Sequence, residues 1–333
     1  MRAQRLLAVV AALALIALWV KRVVLPGRPD DAALPIPRRI PDPDSRPSPD
    51  GASVRIVVNP SSGPAWSGSP VDTLRKALPA ADVHELEPSD DLADLLCEPD
   101  LVAIGAAGGD GTLAAAAVLA ADRQLPLIAI PAGTLNHLAR DLGLDEVDDA
   151  VAAVKAGTFT HMDLGVAGDQ CFVNTLTFGG YSQIVDARER LERRLGKWPA
   201  LLVALITELP AMEPLHVEVD GRPMRLWLAW IGNCRYAPDG FAPSWRERLD
   251  DGLLDVRLVH GSKRFSRARL VLDVLAGRLQ SSSVYEERVA RSVRIRSLDG
   301  PLRLATDGET YDGPVDLEVS KRERALLVAV PPQ

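Results

Sequence analysis

Three short apolar runs in the first half of the chain each stop at a cluster of turn-forming residues and hand over to a helix-forming stretch. Residues 54–58 end in Asn59-Pro60-Ser61-Ser62-Gly63, residues 101–104 run into Gly108-Gly109-Asp110-Gly111-Thr112, and residues 127–130 lead to Pro131-Ala132-Gly133-Thr134. Helices are expected over 71–78, 112–121 and a segment containing 135–141, with a further strand at 82–86. Strands that alternate with helices build a parallel sheet covered on its faces. Ligands of such sheets sit beyond the carboxyl ends of the strands, and all three turns fall at that edge, so they define a single cleft.

From about Asp163 the pattern changes to β-rich stretches at 170–178, 215–219, 224–233, 253–259, 293–297 and 302–305, interrupted by helix candidates at 182–208 and 266–279. This is the pattern of a second domain built as an antiparallel sheet or sandwich. The chain has 333 residues, enough for two compact domains. The expected fold is an α/β domain over 53–162 followed by a β-rich sandwich domain over 163–320.

Two further segments precede them. Residues 6–20 are all apolar, and after Lys21 and Arg22 the run resumes to Leu25. With the two cations snorkelling, a helix over 5–25 has ~30 Å of apolar length, about one bilayer thickness. More Lys and Arg follow this segment than precede it, which predicts a single-pass anchor in the cell membrane with the body on the cytoplasmic side. A cleaved signal peptide is the alternative, argued against by the lack of a small-x-small cleavage site. Residues 26–52 recur in proline and read as a semi-rigid linker.

The formal net charge of −7 argues against a nucleic-acid partner, which requires an excess of cations. Three widely spaced cysteines suggest neither a disulfide framework nor a zinc site. Two basic clusters, Arg188 to Lys197 and Lys263 to Arg269, read either as lipid-facing patches or as solvated helix faces. Trp227, Trp230 and Trp245 read either as the lining of an acyl pocket or as core residues, with core the favoured reading.

The chemistry concentrates in the turns. A strand that ends in Gly108-Gly109-Asp110-Gly111-Thr112 and opens a helix exposes backbone N–H groups at a positive helix end, where glycines let phosphate approach. The Asp110 carboxylate repels bare phosphate and therefore suits a phosphate-bound Mg²⁺, unless it is merely the N-cap of the helix. Glu309, in Thr306-Asp307-Gly308-Glu309, is either a general base for a hydroxyl or an ordinary hairpin acid.

Asn-Pro-x-x-Gly, Gly-Gly-Asp-Gly-Thr, Gly-Thr-x-Asn and a late Asp-Gly-Glu, in this order and at these separations, resemble the diacylglycerol kinase catalytic family, which includes bacterial soluble lipid kinases and sphingosine kinases. The resemblance runs from about Val54 to the C-terminus. It implies a nucleotide-binding first domain akin to that of NAD kinases, a tail over 321–333 that packs back on this domain, and a lipid-binding second domain. It implies that ATP is held by Asn59, Pro60, Gly63, Gly108, Gly109, Asp110, Gly111, Thr112, Thr134 and Asn136, with Mg²⁺. Glu309 then corresponds to the general base, with Asp110 beside it. The segment Asp251-Gly252-x-Leu-Asp matches a metal site of bacterial members, formed here by Asp251, the carbonyl of Leu253 and that of Arg248. One departure stands out: His137 follows Asn136, where many members have Asp.

The function so implied is ATP-dependent phosphorylation of diacylglycerol or a related membrane lipid, a step of phospholipid metabolism. An NAD kinase-like enzyme is the alternative from the shared Gly-Gly-Asp-Gly-Thr, and a non-catalytic, membrane-tethered lipid or nucleotide sensor is the alternative from His137. A homodimer is left open.

Overall fold

The computed structural model describes residues 48–62, 70–133, 136–180, 213–237, 239, 245–261, 266–275 and 278–332. Four parallel strands open the fold: β1 (Val54–Val58), β2 (Asp82–Glu85), β3 (Ala103–Gly108) and β4 (Leu127–Pro131), in the spatial order β2-β1-β3-β4. β3 and β4 are buried along their whole length, as expected of parallel strands covered on both faces. Each fully buried Val, Ile or Leu side chain here contributes about 1.5–3 kcal/mol.

The helices of this half are α1 (Val71–Ala77), α2 (Leu92–Leu95), α3 (Asp110–Asp122), α4 (His137–Asp141) and α5 (Val147–Ala156). In α3 the buried residues are Leu113, Ala116, Ala117, Ala120 and Ala121, the spacing of one helical face laid on the sheet. A capping box between Glu146 and Asp149 starts α5, and Gly157 ends it at φ 64°. Residues 48–52, placed by sequence at the end of the linker, form a turn packed on this half, with Ser48 N donating to Val154 O and Ala80 N to Asp50 O.

The second half is antiparallel. It comprises β5 (Phe159–Ala167), β6 (Gln170–Phe172), β7 (Thr175–Gly179), β8 (Leu215–Val219), β9 (Arg222–Asn233), β10 (Tyr236–Ala237), β11 (Trp245–Arg246), β12 (Leu254–His260), helix α6 (Ser266–Leu275), β13 (Tyr285–Ala290), β14 (Val293–Ser297), β15 (Arg303–Thr306), β16 (Glu309–Asp312) and β17 (Asp316–Ala329). Apart from the β10–β11 pair, all strands belong to one continuous sheet.

β17 joins the halves. Its first residues pair with β14 in the second half, its length runs antiparallel to β5, and Val328 pairs in parallel with Leu127 of β4. Accordingly Leu317 and Val319 belong to the second apolar core, and Leu326, Val328 and Ala329 to the first. A bulge lies between Arg322 and Leu326, with Arg324 at φ 51°.

The expectation of a transmembrane anchor and a cell-membrane location is corrected. No helix among the described residues is long and apolar enough to cross a membrane. A span needs about 20 consecutive apolar residues, whereas the longest described helix, α3, has 13. Residues 5–25 lie outside the described residues, as do most of the linker and the cluster Arg188 to Lys197.

Candidate active site

Three loops meet beyond the carboxyl ends of β1, β3 and β4. After β1, Asn59 N donates to Ala107 O (2.8 Å), its Oδ1 accepts from Ser61 N (3.0 Å), and its Nδ2 donates to Thr112 Oγ1 (3.0 Å). The first loop is thereby fastened to the Gly108–Thr112 turn. Gly109 occupies the N-cap position of α3 in an extended conformation, without a side-chain cap. The first-turn amides of a 13-residue helix thus lack intrahelical acceptors and present the positive end of its dipole.

The third loop is pressed against the second. A Cβ on Gly133 would lie 2.5 Å from Gly109 Cα, so this close approach requires glycine at position 133. Asn136 closes this loop from a left-handed conformation (φ 51°), accepting from Gly133 N (2.8 Å) and donating to Gly133 O (3.0 Å). Asp110 Oδ1 accepts from Leu138 N in α4 (3.4 Å), so the aspartate of the turn also steadies the helix after the third loop. Gly63 and Thr134 lie outside the described residues, Pro60 is exposed, and His137 is an exposed first residue of α4.

The acid from the far end of the chain reaches the same place. Among the described residues, the one atom within 4 Å of a Cβ built on Gly111 is Glu309 Oε1 (3.8 Å), and the one beside Gly109 is Ser62 Oγ (3.8 Å). Asp110 and Glu309 therefore flank one loop. Asn59, Gly108, Gly109, Gly111, Thr112 and Asn136 are gathered there with them.

Glu309 is held by a hairpin whose turn is more than a connector. Asp307 (φ 49°) and Gly308 (φ 95°) form a two-residue turn of the mirror-image type between β15 and β16. The Asp307 carboxylate accepts from Val173 N (2.7 Å), Asn174 N (2.7 Å) and Thr175 N (3.0 Å), and Asp307 N donates to Thr175 O. Residues 173–175 are gripped from the other side by Arg246, whose Nη1 donates to Val173 O (2.9 Å) and Nη2 to Asn174 Oδ1 (3.0 Å). Arg246 Nε pairs with Asp141 Oδ2 of α4 at 2.7 Å, both side chains buried. Burial works against this guanidinium, but Tyr236 and Asp141 outweigh it and hold Arg246 above its ordinary pKa range. Sequence reasoning had no signal for Arg246 or Asp141, because neither stands in a motif.

Around Asp251 the arrangement differs from the metal site implied by resemblance. Asp251 Oδ2 accepts from Arg235 N (2.8 Å) and Oδ1 from Leu253 N (2.8 Å). Leu253 O and Asp251 Oδ1 both face the ammonium of Lys321, at 3.0 and 3.5 Å. Arg248 turns its guanidinium to Asp250 (3.0 Å). Burial pushes the nearby Cys234 thiol up to about 12, so it is protonated at neutral pH.

Comparison with known proteins adds the following. Residues 53–167 match the family model described as diacylglycerol kinase catalytic domain, and residues 179–330 the one described as YegS C-terminal NAD kinase beta sandwich-like domain. A protein of Pseudomonas savastanoi pv. phaseolicola, named "Probable lipid kinase YegS-like", is 31% identical over 236 residues, covering 68% of this chain and 75% of its own length. A diacylglycerol kinase of Mycobacterium tuberculosis is 28% identical over 244 residues, covering 69% and 77%. A crystal structure of a diacylglycerol kinase from Bacillus anthracis superposes with a TM-score of 0.60 at 20% identity, over 84% of this chain and 97% of that one, which shows a shared fold.

Proposed function

Since the chain belongs to the diacylglycerol kinase catalytic-domain family of lipid kinases, we propose that it transfers the γ-phosphate of ATP to a hydroxyl of diacylglycerol or a related membrane lipid. The observation that carries this reading is the approach of Glu309 Oε1 to Gly111. It joins a phosphate-binding turn and a carboxylate almost 200 positions apart in the sequence.

The residues divide the work as follows. The first-turn amides of α3 and the loop at 59–62 receive the phosphates, aided by the glycine contact between residues 109 and 133, which brings backbone rather than side chains to the cleft. Glu309 accepts the proton of the attacking hydroxyl at its carboxylate. The donor set suits a hard cation, because the Asp110 and Glu309 carboxylates flank a loop where oxygens, Ser62 Oγ and Glu309 Oε1, lie over Gly109 and Gly111. A Mg²⁺ ion bound with the nucleotide supplies charge neutralisation on the transferred group. Asp110 would hold it.

Purified protein with γ-labelled ATP, Mg²⁺ and mixed micelles of diacylglycerol, monoacylglycerol, sphingosine and phosphatidylglycerol is expected to label a lipid. The product, identified by mass spectrometry, names the substrate. Label appearing only on NAD, added in a parallel arm, would assign the site to a soluble substrate and refute the proposal.

A further inference from the structure

We infer that Lys321 is the resident cation of the site around Asp251, and that this chain holds there, with its own ammonium, what its relatives' motif implies they hold with a divalent metal. The inference is independent of which hydroxyl is phosphorylated.

The geometry leaves no room for both cations. Lys321 Nζ lies 2.8 Å from Asp163 Oδ2, 3.0 Å from Leu253 O, 3.0 Å from Cys234 Sγ and 3.5 Å from Asp251 Oδ1. The ligand atoms that Asp163, Cys234 and Asp251 could offer a metal lie within 4.8 Å of one another, the size of a single-ion cage, and the ammonium contacts all three. Lys321 and Asp163 are almost wholly buried, at 2% and 0% side-chain exposure.

The donor set is also wrong for a hard metal. Ca²⁺ and Mg²⁺ ask for about six or more oxygens, whereas this cage offers three oxygen-bearing groups and a thiol. Those oxygens are already in use. Asp163 Oδ1 accepts from Arg324 N (2.7 Å) and Oδ2 from Gly252 N (2.9 Å), while Asp251 accepts from Arg235 N and Leu253 N. An ammonium has three donors and no directional demand beyond them, which fits the acceptors that remain.

The position of Lys321 gives the substitution a purpose. The residue sits on β17 just before the bulge at Arg322, where the last strand crosses from one core to the other. Its ammonium ties that crossing to β5 through Asp163 and to the start of β12 through Leu253. Asn233 Nδ2 continues the network by donating to Asp163 O (2.7 Å) and Val173 O (2.9 Å), the segment that grips Asp307. The lysine therefore braces the scaffold from which Glu309 projects.

The full chain without nucleotide tests this by thermal unfolding and elemental analysis. Wild-type protein, dialysed after exposure to Ca²⁺ and Mg²⁺, is expected to retain no stoichiometric divalent ion and to melt at the same temperature with EDTA, Ca²⁺ or Mg²⁺. Lys321→Ala is expected to melt roughly 5–15 °C lower, from a buried acid pair left without its cation, and neither Ca²⁺ nor Mg²⁺ restores the loss. Adding Asp251→Asn to that variant takes away one of the two stranded charges and recovers part of the loss. A wild-type chain that carries one divalent ion and is destabilised by EDTA overturns the inference, and so does a Lys321→Ala variant as stable as wild type or one that Ca²⁺ restores. Should Lys321→Ala not fold, the wild-type measurements alone still decide it.

Discussion

Asp307 shows how much one side chain can carry that its motif does not disclose. Read in sequence, Asp307-Gly308 is a hairpin signal, and the structure contains that hairpin with both residues at positive φ. Its three N–H partners lie more than 130 positions away, where nothing in the sequence names them. Asp307→Asn keeps the shape but replaces one acceptor oxygen by an amide that faces N–H donors. It is expected to lower stability by about 1–3 kcal/mol and, by loosening Glu309, to slow phosphate transfer by on the order of 10²-fold. ATP affinity should stay near wild type, because the loops after β1, β3 and β4 are untouched. Titration calorimetry beside steady-state rates checks both parts, and a variant that loses ATP binding as steeply as rate would contradict this role. Asn59, Gly108 to Thr112 and Asn136 were legible in the sequence from motifs and a family resemblance; backbone geometry itself asks for the residue type at Gly108, where a Cβ would meet Thr112 at 2.7 Å, and favours Asn136 at φ 51°.

At the scale of elements, short β-branched runs such as 54–58, 215–219 and 293–297 were readable to the residue, since period and composition agree there. β17 was not. Only a tail over 321–333 packing back on the first domain was expected, with no strand signal in its charged Lys321-Arg322-Glu323-Arg324 stretch, yet Lys321 is buried by its acids and the bulge at Arg322 lets the strand resume through Leu326 and Val328. The helix α4 was located, but its tether was invisible: nothing in the sequence marks Arg246 off from its neighbour Arg248 until folding sets it against Asp141. Removing one partner of such a buried pair strands the other charge, so Arg246→Met is expected to cost about 3–5 kcal/mol in urea unfolding. Combining it with Asp141→Leu should recover part of that loss. A single variant within about 0.5 kcal/mol of wild type would show that the tether is ornamental.

For the whole molecule, the sequence divides sensibly into a helix-rich first half and a β-rich second half, but one sheet runs through both, because β17 pairs with β4, β5 and β14. That continuity sets Glu309, from the second half, over Gly111 in the first. The membrane-anchor reading rested on apolar length at the chain's start, and no described helix has the length to span. The central claim, that Glu309 is the base serving a triphosphate bound at the Gly108–Thr112 turn, is tested most directly by Glu309→Gln, measured for lipid phosphorylation and for ATP binding on the same preparation. The account predicts a loss of about 10²–10⁴-fold in turnover with ATP affinity and melting temperature unchanged. Turnover at the wild-type rate, or a loss explained by failed ATP binding, would contradict it.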